Sequence, residues 1–224
     1  MRFEPDYGTR KGILLGWLQI TAGLFVFSFG VYLTIFAGIG LAPWDCLAAG
    51  ISLHTPLNYG MAMTCISILV LGIDLLLGEQ VGFGTVLNAL VIGGFVQMFS
   101  DLNPFQAPET LPVSILVILF GLTVMAFGQY YYIRSAQGCG PRDALLIGIG
   151  KRMKKVPIGF VQIIILAAVL LIGFLLGGPI GIGTVLTTFG SGLLMQVVFR
   201  IMRFEPRNVV QHSISDLLPV LLQK

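Results

Sequence analysis

Six stretches of the chain stay apolar for about 20 residues each, the length a helix needs to cross the hydrocarbon core of a bilayer. They cover roughly residues 12–36, 59–77, 81–99, 112–133, 157–176 and 180–201. Pro56, Pro112, Pro157 and Pro179 stand at or just before span starts, where a missing backbone N–H costs least. The first apolar stretch is too long for the core of a signal peptide and lacks a small-residue cleavage pattern, so it reads as an uncleaved span. After the first and fourth spans a glycine-rich break precedes a short apolar piece of about 10 residues, too short to cross. The pattern therefore predicts an all-α polytopic membrane protein, a single membrane domain over residues 1–224.

Composition removes the alternatives. Hydrophobic residues make up 56% of the chain and charged residues 10%, with a mean hydropathy of +0.93. Soluble domains carry about 25% charged residues, so a water-facing globular surface, a disordered chain and a secreted disulfide scaffold are excluded. Cys46, Cys65 and Cys139 have no CxxC spacing and no nearby histidine, and no metal or cofactor is expected. The 13 basic residues fall in three groups: before the first span, between the fourth and fifth, and from the end of the sixth onward. By the positive-inside rule both termini, the 134–156 loop and the 202–224 tail are cytoplasmic. The tail repeats Arg-Phe-Glu-Pro at 203–206 as at 2–5. No aromatic platform accompanies the basic groups, so nucleic acid is not an expected partner; the lipid bilayer is.

The chain also repeats itself. Residues 23–53 align without gaps to 121–151, an offset of 98, and thirteen of the 31 positions are identical. Gly40 matches Gly138, Pro43 matches Pro141 and Asp45 matches Asp143. Residues 57–99 match 156–198 at an offset of 99, with Gly-x-Gly-Thr-Val-Leu at 82–87 and again at 181–186, and Gln97 on Gln196. Repeat 1 then covers about 12–100 and repeat 2 about 112–200. Three spans per copy is an odd number, so the second copy enters from the opposite face. The expectation is two inverted-topology three-helix repeats, an architecture of secondary transporters.

Both short segments read as a helix with proline at its first position and aspartate two residues later. Asp45 and Asp143 can accept backbone N–H bonds there and oppose the helix dipole. If the segments are re-entrant, their N-termini meet near the midplane and form a site for a polar or charged solute; interfacial helices are the alternative. The copies differ at Trp44 and Arg142. Asp45, with no cation beside it in sequence, is the better candidate for reversible protonation. Asp45, Asp143, Trp44, Arg142, Gly40, Gly138, Pro43, Pro141, Gln97 and Gln196 form the candidate solute-binding set. Gln19, Asn88, Gln129 and Gln162 are weaker candidates, Asp74 reads as a helix-end carboxylate, and His54 as a surface residue.

The motifs Gly38-Ile-Gly-x-x-Pro-Trp-Asp45 and Gly138-Cys-Gly-Pro-Arg-Asp143 resemble the YczE family of bacterial membrane proteins, within the YczE/YyaS/YitT group. The resemblance spans roughly residues 12–200 and implies a bacterial cytoplasmic-membrane location, without a substrate or catalytic residues to carry over. The leading expectation is a small-solute transporter with its site between the repeats. A substrate-capture subunit is the second reading; with no Walker A motif in the chain, its ATPase complex would be a separate partner. A non-transporting scaffold or regulator is the third. A homodimer stays open as a further partner. No nucleophile–base set, metal cluster or phosphate loop points to an enzyme.

Overall fold

The computed structural model describes residues 7–79, 81–138, 140–153, 158–204, 209, 212, 213 and 219. Cys139, Pro157, the Lys154–Lys155 pair, most of the tail, and the Arg-Phe-Glu-Pro echo at 2–5 with the second half of its copy at 203–206 lie outside these residues. Among the described residues there are eight helices and no strand: α1 (Arg10–Phe36), α2 (Pro43–His54), α3 (Tyr59–Leu76), α4 (Phe83–Leu102), α5 (Leu111–Arg134), α6 (Pro141–Arg152), α7 (Ile158–Leu175) and α8 (Ile182–Ile201). Five of them, α1, α3, α4, α5 and α8, are long and apolar enough to cross a membrane. The expected span over 157–176 corresponds to α7, an 18-residue helix as long as α3, of which Val161–Leu175 is apolar among the described residues. Large apolar side chains face outward, Leu76, Leu175 and Phe189 among them. In water such a surface would be a liability; against lipid it is the solvated face.

The short helices are as the pattern requires. α2 and α6 are each 12 residues long, and each begins on its proline with a preceding residue in extended conformation. That start suits proline, whose fixed φ fits the first helical position and whose absent N–H would have had no intrahelical partner.

α1 and α5 pack side by side as the central pair. A Cβ placed on Gly30 would lie 2.6 Å from the carbonyl oxygen of Gly121, and one on Gly121 would lie 2.9 Å from that of Gly30. Gly23 and Gly128 make the corresponding approach one register further along. The four glycines match pairwise in the repeat, 23 with 121 and 30 with 128, so one close contact is made twice. Small residues allow backbones to meet in lipid, where packing replaces the hydrophobic effect as the source of helix association.

The remaining contacts also recur in pairs. α1 packs on α4 and α5 on α8; α2 packs on α7 and α3 on α6. Each short helix therefore lies against the second span of the other copy. The ends are fastened in the same way. His54 Nε2 lies 3.1 Å from the carbonyl oxygen of Leu176, and the Arg152 guanidinium donates to that of Leu77 at 2.9 Å. These residues are equivalent in the repeat, 54 with 152 and 77 with 176. Each satisfies a carbonyl that a helix C-terminus leaves without a partner. Lys151 adds an ion pair with Glu79 at 2.6 Å.

Gly30→Val is expected to reduce stability by about 1–3 kcal/mol through forced separation of α1 and α5. Gly72→Ala, at a position where a Cβ meets nothing within 4 Å, should change it by less than about 0.5 kcal/mol. Thermal unfolding of the purified variants in detergent measures both. Arg152→Ala removes a charge-assisted bond to a helix end and should cost about 1–3 kcal/mol in the same assay.

Candidate functional site

The site begins with two interruptions of helical backbone. α1 ends at Phe36 and α2 starts at Pro43; α5 ends at Arg134 and α6 starts at Pro141. Between them Gly40 has φ of +118° and Gly138 φ of +110°, a region that only glycine enters without strain. Each break rests on the Gly-x-Gly-Thr turn of the other copy. Gly183 donates its N–H to the Ile39 carbonyl at 2.8 Å, and Gly84 donates to the Gln137 carbonyl at 2.8 Å. Leu41 donates to the Pro179 carbonyl at 3.2 Å. The first glycine of each turn, Gly181 or Gly82, lies so close to the opposing break that a Cβ would collide with its carbonyl. The repeated motif is thus a socket for the opposite elbow.

The two elbows bring the N-termini of α2 and α6 to one cavity of about 540 Å³. Its walls are drawn in repeat-related pairs: Trp44 with Arg142, Asp45 with Asp143, Asn88 with Thr187, Ile92 with Ser191, Met63 with Gln162 and Val31 with Gln129. The cavity therefore lies on the relation that exchanges the two copies. The Arg142 guanidinium sits 5.2 Å from the centre of the Trp44 ring, a cation–π contact between the two positions at which the Pro-x-Asp motifs differ. Asp45 is 5% exposed, and its Oδ1 has no hydrogen-bond partner. Arg142 is the charged side chain that acts on both Asp45 and Asp143, and the Tyr59 hydroxyl is the polar neighbour of Asp45. Neither carboxylate is in an ion pair; the one such pair among the described residues joins Lys151 to Glu79. Two carboxylates, one guanidinium and two positive helix ends thus share one cavity with amides and hydroxyls. Such a space can hold a small polar molecule through opposite charges at fixed positions.

The candidate residues separate into groups. Pro43, Trp44, Asp45, Arg142 and Asp143 line the cavity. Gly40, Gly138 and Pro141 shape the elbows instead. Gln97 lies elsewhere: its Oε1 accepts from the Gly60 N–H at 3.0 Å and its Nε2 donates to Asp101 at 2.7 Å, which closes α3 onto α4. Gln196 is exposed on α8 and is not among the cavity walls. The capping role expected of Asp45 is not made at Oδ1, and the cation missing from its sequence neighbourhood arrives as Arg142 from the other copy. Asn88, Gln129 and Gln162 line the cavity, while Gln19 bonds the Tyr131 carbonyl at 2.9 Å. Ser67, Thr187, Thr188 and Ser191 also line it without having stood out in the sequence. Thr187 and Ser191 could have been found by carrying Asn88 and Ile92 through the repeat register.

Two further polar residues stand where the sequence puts them. Asp74 lies in the last turn of α3, but it is fully buried, and both of its carboxylate oxygens lack a hydrogen-bond partner. His54 is exposed and engages Leu176. Cys46 is completely enclosed. No group of three metal-ligating side chains occurs among the described residues.

Residues 14–200 match a family of unknown function, DUF6198. An uncharacterised protein of Haemophilus influenzae is 33% identical over 178 residues, covering 80% of each chain. The uncharacterised membrane protein YczE of Bacillus subtilis is 32% identical over 193 residues, 84% of this chain and 86% of that one. YyaS of the same organism is 29% identical over 180 residues, 78% of this chain and 88% of its own. No solved structure matches. A family match across most of the chain, relatives alike over nearly their full length and a bundle of apolar helices agree: the chain is a membrane protein of the DUF6198 family, related to YczE.

Proposed function

We propose that this protein carries a small polar solute across the bacterial cytoplasmic membrane, with its site in the cavity between two inverted repeats. The observation that carries the reading is the meeting of both Pro-x-Asp helix N-termini at one cavity walled by repeat-related pairs. Irregular backbone at membrane depth is tolerated where protein or a water-filled cavity covers it. Here both breaks are covered by the opposite copy and open on such a cavity. Broken helices that aim their ends at a central site are a recurring device of secondary transporters.

In this reading both termini and the α5–α6 connection face the cytoplasm, as the distribution of basic residues requires. Six passes follow, with α7 among them. Asp45 is the central recognition group. Its Oδ1 is buried and without a partner, a state that costs free energy until a donor arrives. A solute N–H or O–H, or a proton, satisfies it. Arg142, held over Trp44, offers a fixed positive charge to the opposite end of the same solute.

Asp45→Asn keeps the shape and removes the charge. It is expected to insert and purify like the parent while solute flux in proteoliposomes falls by at least tenfold. Flux at the parental rate would remove Asp45 from the mechanism.

A further inference from the structure

The largest difference in packing between the two copies lies along one seam. In the first copy α3 lies along α4. The closure is tight: a Cβ on Gly60 would lie 2.6 Å from Gln97 Cβ, the backbone oxygen of each of Gly60 and Gly93 crowds the other, and Thr64 Oγ1 presses on Gly93. In the second copy α7 and α8 do not lie along one another among the described residues. The register of the repeat brings Gly93 onto Gly192, Thr64 onto Ile163 and Gln97 onto Gln196. A Cβ on Gly192 meets nothing within 4 Å, and Ile163 is 61% exposed. Gly192 and Gln196 repeat two residues of the tight seam, but the seam is open.

The cavity extends into that opening. Ile163, Gly192 and Met195 line it, whereas their counterparts Thr64, Gly93 and Val96 do not. The chemistry of the opening differs from that of its shut twin. Gln162 stands where the first copy has Met63, Thr188 where it has Ala89, and Ser191 where it has Ile92. In the shut copy these places are apolar and buried: Met63 and Ile92 face the cavity, and Ala89 is buried beside them. The open one carries an amide and two hydroxyls, groups that are costly against hydrocarbon and favourable against water. It lies toward the end of the bundle where α5 and α8 finish in Arg134 and Arg200, with Tyr130 of α5 against Phe204.

We propose that the α7–α8 seam is the aqueous entrance to the cavity, lined by Gln162, Thr188 and Ser191, and that it shuts by bringing Gly192 against α7 as Gly93 is brought against α3. The inference rests on the transporter reading and adds to it a route: the solute is hydrophilic, and it arrives from water at the basic end of the bundle. A two-state element of this kind lets one site face either side in turn, since two packings of nearly equal free energy need only a small bias to exchange.

The test uses full-length protein in nanodiscs, in a background with the native cysteines replaced, and a sulfonated, lipid-insoluble maleimide. Gln162→Cys and Ser191→Cys are expected to react at least ten times faster than Leu171→Cys, a lipid-facing position on α7 that is 58% exposed. Equal rates, or reaction of 162 and 191 only with a lipid-soluble maleimide, overturn the aqueous entrance. The pair Ile163→Cys and Gly192→Cys, both at open positions and so compatible with folding, is expected to form a reversible disulfide under mild oxidation and to slow labelling at 162 by at least tenfold. Absence of that disulfide, with both thiols reactive, overturns the closing movement. Tenfold-faster labelling together with normal flux in Asp45→Asn would retain the entrance and remove the carboxylate. Equal labelling rates together with lost flux would do the reverse.

Discussion

Inside a bilayer every backbone N–H and C=O must find a partner within the protein, and the architecture follows from how this chain meets that demand at its two broken helices. The breaks before Pro43 and Pro141 free carbonyls that no helix satisfies. The N–H groups of Gly183 and Gly84 take them up at 2.8 Å each. Because the socket for each elbow belongs to the other copy, neither half can be complete alone. The exchange also fixes which faces meet: α2 goes to α7 and α3 to α6, and His54 and Arg152 then reach the carbonyls of Leu176 and Leu77.

This reciprocal clasp gives the glycines their places. Gly40 and Gly138 supply positive φ at the elbows. The glycines of the socket admit the opposing backbone. Those of α1 and α5 let the central helices touch. Larger residues at these points would push the halves apart and strand the carbonyls in an apolar surround, at a cost of about 1–3 kcal/mol for each group left without a partner. The cavity is a consequence of the same geometry. Two helix ends held against each other from opposite copies leave a space between them, and the charged residues nearest those ends, Asp45, Arg142 and Asp143, line it.

The two copies share a register but differ in side chains and in how their second and third spans meet. The first copy has Met63, Ala89 and Ile92 where the second has Gln162, Thr188 and Ser191. Apolar residues favour a closed, dry contact, and polar ones reduce the cost of an open, wet one. The difference between the halves is thus written in the sequence as a hydropathy difference.

The sequence alone determined much of this. About 20 residues of apolar chain can lie in lipid only as a helix, so the positions of α1, α3, α4, α5 and α8 were legible from hydropathy, and the 12-residue α2 and α6 from glycine, proline and aspartate at fixed spacing. The repeat register named the residues that share the cavity, Asp45 and Asp143 first. What it could not give was which copy completes which. That Arg142 attends Asp45 across the repeat, that Gln97 seals a seam rather than lining the site, and that Asp74 at the end of α3 is buried all depend on contacts between residues far apart in the chain. Local pattern records each residue's preference for lipid, water or helix. The partner at the end of a hydrogen bond is decided only when both copies have folded against each other, because the group that satisfies each break lies on the other half of the chain.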